Sequence, residues 1–398
     1  MKTRRPRLAL LFRYGPAVHG ELFHALPGVL EALAREAEVH YFGMRAAEAP
    51  PYTPSPGVCV HELPVTVDRR DPRDKLRKTL YWIARLPALA RQCRRLDVAA
   101  IYVDETLPLA ALLLQRFFGP RVAMTVADFF VEVYTERWWW ARPLRGPIRR
   151  LDERAWRRLP LIFTRACAAR DYLVSRGVPP NRIRPVYDPC DFSLYHPGDR
   201  RAARRRWGYT EEEVVLVHHG ILHPNKANDW IIEAMAPLCR RFSQLRYLLV
   251  GDGPEMPRLR RMAREYGMED RVQFAGWLPR PADVCEALNA GDIGLVMRRG
   301  MRSDDFHVTG ALVHAMACGL PILAARLAGV LEIVGEGRNG WLFSPSDPAE
   351  FADRLAEAIE QPARRAQFGR QALADARERF AMERAVRETA GPLLDLVR

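Results

Sequence analysis

The chain has 398 residues, 27% of them charged, and a formal net charge of +13. That length supplies two or three domains, each with its own core, and the composition speaks against disorder. Seven scattered cysteines without a CxxC pair argue against a disulfide scaffold or a structural zinc, and fit reduced thiols in a cytoplasmic protein, while no apolar run approaches the ~20 residues that span a bilayer.

The N-terminus "MKTRRPRLALLFRYGP" begins like a signal peptide, but its apolar run is only Leu8 to Phe12 and Arg13 ends it, so it predicts a first strand. "ELFHALPGVLEALARE" follows as a helical stretch interrupted by Pro27, then the strand "EVHYFG". "LDVAAIYVD" and "RVAMTVADFF" are strands separated by the apolar helix "LPLAALLLQRFF", and "LPLIFTRA" and "IRPVYDP" close the first half. A Pro-, Gly- and charge-rich stretch, "DPCDFSLYHPGDRRAARRRWGY", predicts a linker near residue 195. The second half restarts with the strand "EVVLVHHG" and the helix "NDWIIEAMAPLCRRF". It continues through "LRYLLVGDGP", "PRLRRMAREYG", "RVQFAG", "PADVCEALNAG" and "DIGLVMRR" as alternating strands and helices. This alternation predicts an α/β protein with two doubly wound parallel sheets, which bind ligands at the carboxyl ends of their strands. The crevice between the two domains is the expected site.

"SDDFHVTGALVHAMACGLPILAA" reads as a loop, a short helix and a buried strand. Thr309 is a good N-cap, Gly310 admits a close neighbour, Gly319 suits a left-handed cap and Pro321 bars continuation. The free N–H groups at such a helix start attract an anion. Lys226 in "HHGILHPNKAND" follows a strand and offers a point charge for phosphate. Gly220, Gly251 and Gly253 occupy successive carboxyl-end loops, where backbone has to pass close to a neighbour. His218, His219 and His223 lie on a strand and loop that send neighbours to opposite faces, so no metal site is expected from them.

Charge is divided unequally. Residues 1–190 hold 32 Lys and Arg against 19 Asp and Glu, whereas residues 191–398 hold 29 of each. A one-sided basic half points to an anionic partner. "ERWWWARPLRGPIRRLDERAWRRLPL" sets Trp138, Trp139, Trp140 and Trp156 among eight arginines, a composition suited to an anionic membrane surface rather than to nucleic acid.

From about residue 212 to 360 the sequence resembles the donor-binding half of family 4 retaining glycosyltransferases. The resemblance rests on "GILHPNKAND", "LLVGDGPEMPRLRRMA", "VQFAGWLP", "AMACGLPILA" and "GRNGWLFSPSDPAEFADRL", with "IRPVYDPCDFSLYHP" before them. The first half matches only in layout. The resemblance implies the GT-B fold: two Rossmann-like domains facing each other across a cleft. Expected boundaries are 1–195 for the acceptor and membrane-side domain and 196–375 for the donor domain. A C-terminal helix over 376–398 is expected to pack back toward the first domain. The implied activity is retaining transfer of a sugar from a nucleotide diphosphate donor to a glycan or lipid-linked acceptor, without a cofactor or bound metal. The enzyme would be cytoplasmic and peripheral on the inner membrane face. Val308, Thr309, Gly310 and Lys226 would hold the diphosphate, His314 the ribose, and Trp277 and Leu278 would lie beside the base.

Departures from the family pattern shift other roles. The family's paired Glu positions fall on Phe306 and His314, which leaves Asp305 or Asp304 to supply the carboxylate. Ile221 stands where an Arg is common, making Arg298, Arg299 or Arg302 the substitute cation. Ala127 stands where a His often ends the strand, with Asp128 next to it. The usual Gly-Gly after the first strand is reduced to Gly15 and Gly20. Asp128 and His19 are the acceptor-side catalytic candidates and Asp305 the donor-side one. The rival expectations are a non-catalytic nucleotide-sugar-binding descendant and a sugar-nucleotide epimerase on the same fold.

Overall fold

The computed structural model describes residues 5–47, 49, 52–68, 71–103, 107–126, 142–299 and 302–398. The chain forms two compact units, residues 1–189 with 382–398, and residues 190–381. The first boundary falls at the very start of the expected linker. The linker residues instead fold into the second unit, where the helix Arg200–Trp207 packs on the helix Pro281–Ala290. Arg204 is the reason: it is 1% exposed, bonds Asp292 at 3.0 Å and donates to the Thr210 and Ala290 carbonyls. A buried guanidinium needs such complete pairing, so this sequence cannot serve as a solvated tether.

Among the described residues the first unit is built on a parallel sheet of seven strands. These are β1 Arg7–Tyr14, β2 Glu38–Ala46, β3 Val58–Val67, β4 Ala100–Val103, β5 Val122–Thr125, β6 Leu161–Thr164 and β7 Ile183–Pro185. Their order is β3-β2-β1-β4-β5-β6-β7. The predicted stretch around Pro27 is two helices, Pro16–Leu22 and Leu26–Glu36. Pro27 falls in the first turn of the second, where its missing N–H costs nothing. Strand β3 and the helix Pro72–Arg95 were not expected from sequence. Pro64 interrupts the β3 pattern, and only an edge position, which β3 occupies, tolerates proline. The last helix, Met382–Val397, lies on the helix Leu26–Glu36 and buries Ala385, Leu393 and Leu394 in the first unit's core with Val29, Leu30 and Leu33.

Among its described residues the second unit carries six parallel strands: β8 Val214–His219, β9 Leu245–Val250, β10 Val272–Gly276, β11 Ile293–Val296, β12 Ile322–Ala325 and β13 Gly340–Phe343. The order β10-β9-β8-β11-β12-β13 reverses direction between β8 and β11. Crossovers there diverge to opposite faces, which opens a crevice at the carboxyl ends of those two strands.

Candidate functional site

The loops after β8, β9 and β10 are locked together by their backbones. Gly220 donates to the Val250 carbonyl at 2.9 Å, Leu222 to Asp252 at 2.9 Å, and Gly251 to Gly276 at 2.9 Å. Gly220 and Gly251 have φ of +135° and +144°. A Cβ on Gly251 would collide with the Gly220 carbonyl, and one on Gly253 with the Leu222 carbonyl. The glycines at 251 and 253 therefore serve loop-to-loop contact. Their effect on any ligand is indirect, by fixing the wall against which it would lie.

That wall borders a cavity of about 180 Å³. Of the expected donor residues it gathers Gly220, Gly251, Trp277 and Leu278, and it adds Tyr195, His219 and Pro279. Trp277 is 66% exposed, a large aromatic face left open at the rim. Tyr195 lies in the quoted "DFSLYHP" stretch and His219 ends β8 just before Gly220. For His219 the sequence signal was its position at the strand end, and for Tyr195 it was membership of that stretch alone.

Thr309 caps the helix Gly310–Ala317 as expected, its Oγ1 accepting the Leu312 N–H at 3.3 Å, and Gly319 closes it with φ +78°. The His314 ring stacks on Tyr195 at 3.7 Å and lies 5.4 Å from the His219 ring. Its edge also lies over the first helical residue, at the distance of van der Waals contact from a Cβ built on Gly310. Tyr195 and His219 therefore tie the start of this helix to the cavity wall.

Lys226 ends a short turn, Pro224–Lys226, and is followed by Ala227 at φ +49°, a conformation disfavoured for alanine and held by the surrounding structure. Asn225 fixes the turn by donating to Asp304 Oδ1 at 2.9 Å and by accepting the Arg299 N–H at 2.8 Å. Burial, and then the Arg298 guanidinium, pushes the Lys226 ammonium down to about 8, against the opposing pull of Asp304. Burial and the Lys226 charge hold His218 at about 3 and His219 at about 4, so both imidazoles are neutral at pH 7. A neutral His219 in the cavity wall can donate or accept a hydrogen bond.

Two carboxylates take structural parts. Asp304, 1% exposed, bonds Arg298 Nε at 2.8 Å as well as Asn225. Arg298 is thereby balanced and is a weak substitute for a missing phosphate cation. Asp305 is exposed and accepts the Ala328 N–H at 2.9 Å, at the start of the helix Ala328–Leu331. Phe306 packs in the same loop, its carbonyl side close behind Gly329. In the first unit His19 is a buried helical side chain, 2% exposed and packed on Phe12 at 4.3 Å. Trp156 is 4% exposed and belongs to the interior, not to a membrane-facing surface. Asp128, Ala127, Trp138, Trp139, Trp140 and the Arg302 side chain lie outside the described residues.

The second unit thus sets a capped helix start and Lys226 near a cavity with an open aromatic rim, at the carboxyl ends of a doubly wound sheet. Residues 213–361 match the family described as glycosyl transferases group 1. The chain is 33% identical over 226 residues to D-inositol 3-phosphate glycosyltransferase 2 of Catenulispora acidiphila, covering 54% of this chain and 51% of that protein. It is 28% identical to the N-acetyl-alpha-D-glucosaminyl L-malate synthase of Bacillus anthracis, over 56% of each chain. It thus spans about half the length of the curated relatives it matches. The Anabaena HepE structure in complex with UDP superposes with a TM-score of 0.70 at 20% identity, covering 98% of this chain and all of that one. That likeness establishes the GT-B fold.

Proposed function

We propose that the protein is a retaining glycosyltransferase that moves a sugar from a nucleotide diphosphate sugar to a glycan or lipid-linked acceptor at the cytoplasmic membrane face. The observation that carries this reading is the convergence of Lys226, His219, His314 and the start of the helix Gly310–Ala317 beside the cavity at the β8 and β9 carboxyl ends. The base stacks against Trp277 in the cavity, and the ribose reaches His314. The diphosphate meets the N–H groups at Val308 to Gly310 and the Lys226 ammonium.

Chemistry follows from this placement. Preorganised amides and an ammonium stabilise the charge that grows on the departing diphosphate. The leaving phosphate oxygen takes the proton of the incoming acceptor hydroxyl on the same face of the sugar, so the anomeric configuration is retained. No separate protein base is needed for that step. Holding donor and acceptor in contact supplies the remaining rate enhancement.

The membrane part of the reading is supported by the helix Arg142–Trp156, where Leu144 and Leu151 are 52% and 44% exposed and Arg142, Arg150 and Arg154 are exposed beside them. Among the described residues no helix is long and apolar enough to cross a membrane. A second reading of the acceptor is a small phosphorylated polyol, of the kind named in the Catenulispora relative. The basic first half suits either anion.

The test is a thermal-shift panel of UDP, GDP, ADP and their sugars, followed by donor turnover with and without acceptor. A nucleotide that binds only the native protein raises the midpoint. Slow donor hydrolysis supports an enzyme. Binding without hydrolysis supports a non-catalytic descendant, and release of an altered sugar nucleotide without acceptor supports an epimerase.

A further inference from the structure

The first unit gathers metal-binding chemistry at the end of its sheet opposite to the strand carboxyl ends. Glu38 is the first residue of β2, and His40 is two residues on, so both side chains leave the same face. Cys59, second in β3, is the register partner of His40. His61 is the partner of Phe42 and lies on the same face of β3. The other face, with Val39, Tyr41 and Val58, packs into the core.

One ligand atom each from Glu38, His40 and Cys59 lies within 4.8 Å of the other two. His40 is 4% exposed. Its Nδ1 lies 2.9 Å from His61 Nε2. His61 is held in place by stacking on Phe42 at 4.5 Å and on His40 at 5.2 Å. The other nitrogen, His40 Nε2, lies 3.2 Å from Glu38 Oε1 but makes no hydrogen bond of acceptable geometry. Arg7 bonds the second carboxylate oxygen, Oε2, at 2.9 Å, and Oε1 is the oxygen beside the histidine. When His40 donates its Nδ1 proton to His61, a lone pair on Nε2 faces a carboxylate oxygen, an arrangement that a cation between them relieves. Cys59 is exposed and brings its sulfur to the same point.

We propose that Glu38, His40 and Cys59 form a site for a zinc-class divalent transition-metal ion that pins β2 to the edge strand β3, with His61 as the positioning residue for His40. Nitrogen, sulfur and carboxylate oxygen are the donor set that Zn²⁺ accepts, and three protein ligands leave a fourth position for water. The Nδ1 contact to His61 is the outer interaction that fixes the tautomer of a metal-bound histidine. Binding requires loss of the Cys59 thiol proton to bulk water and changes no oxidation state.

The experiment uses the untagged full chain, stripped with chelator and kept reduced, titrated with Co²⁺ as the spectroscopic probe. Wild type is expected to take up one Co²⁺ with ligand-field bands and a thiolate-to-cobalt charge-transfer band, both lost on adding Zn²⁺. Cys59→Ser removes the charge-transfer band, whereas Cys239→Ser, at a half-buried thiol in the second unit, retains it. His61→Phe keeps all three ligands and weakens Co²⁺ about 10–100-fold, as loss of an outer partner does. Because Cys59 is exposed, its serine variant is expected to fold as wild type does, which an unchanged far-ultraviolet spectrum checks. Absence of the bands in wild type, or a charge-transfer band that persists in folded Cys59→Ser, overturns the proposal.

Discussion

At the scale of single residues, Lys226 joins stability to the proposed function. Its ammonium is pushed down to about 8 chiefly by burial, so its charge is a cost in the empty protein and an asset once a phosphate arrives. Below about pH 8 the lysine is charged in both folded and unfolded states and the full cost is present. Above that the folded state sheds the proton while the unfolded chain keeps it toward 10.5, and the cost is relieved. Lys226→Met should therefore raise the melting midpoint of the nucleotide-free protein at pH 7, and Lys226→Ala should abolish the shift caused by a nucleotide diphosphate. In wild type, diphosphate affinity measured by calorimetry should fall as pH rises through about 8, and Lys226→Arg should flatten that profile. An undiminished shift in Lys226→Ala would show the lysine to be misassigned.

Asp152 gives a second residue-scale prediction. It is 1% exposed, accepts the Leu109 N–H at 2.7 Å, and burial pushes its carboxyl up to about 7. Between about pH 4 and 7 the unfolded chain ionises this group while the folded chain does not, so wild-type stability drains away as pH rises through that window. Asp152→Asn keeps an acceptor for Leu109 without the titration. Its midpoint should equal that of wild type near pH 4 and exceed it near pH 8.

At the scale of elements, the return of the last helix to the first unit rests on a glycine. A Cβ at Gly28 would come within 2.7 Å of Val386 on the helix Met382–Val397, so the two helices approach at a point that admits no side chain. Gly28→Leu should cost about 1–3 kcal/mol, typical of overpacking, read from urea unfolding. Gly391, in the same last helix, has open space around its would-be Cβ. Gly391→Ala should stabilise by about 0.5–1 kcal/mol through helix propensity. Equal effects from the two substitutions would contradict the packing described.

Element identity also shows where local signals run out. The second-unit strands were legible because parallel strands buried on both faces read as continuous apolar runs, as in "EVVLV" and "LRYLLV". The edge strand β3 carries "HELPVTV", with polar residues and a proline, because one of its sides has no strand to satisfy. The helix Pro72–Arg95 hid for a related reason: Pro87 sits inside it, and charged residues cover its exposed side. Arg204 misled in the opposite sense, since an arginine-rich segment looks solvated until its carbonyl and carboxylate partners are known.

At the scale of the whole molecule, the net charge of +13 resides in residues 1–190, and the prediction belongs to the intact chain. Co-sedimentation with anionic vesicles should fall steeply as ionic strength rises from about 0.05 M to 0.5 M, since exposed charges are screened beyond about 10 Å at 0.1 M. The nucleotide-induced thermal shift should change far less over the same range, because Lys226 is half-buried and screened less than an exposed charge. Pelleting that ignores both salt and lipid charge would refute a charge-driven membrane contact.

The sequence by itself determined the alternation of strands and helices, the Thr309 cap, the left-handed Gly319 and the glycine-bearing loops after the second-unit strands. Each depends on neighbours within a few residues, through backbone sterics, capping or short-range hydrophobic pattern. Only the tertiary structure decided that Gly251 meets Gly220, that Tyr195 stacks on His314, and that Asp304 clamps Arg298. The same holds for Glu38, His40, Cys59 and His61, which the register of two adjacent strands brings together. Contacts between residues tens of positions apart are fixed by sheet order and register, which no local preference encodes.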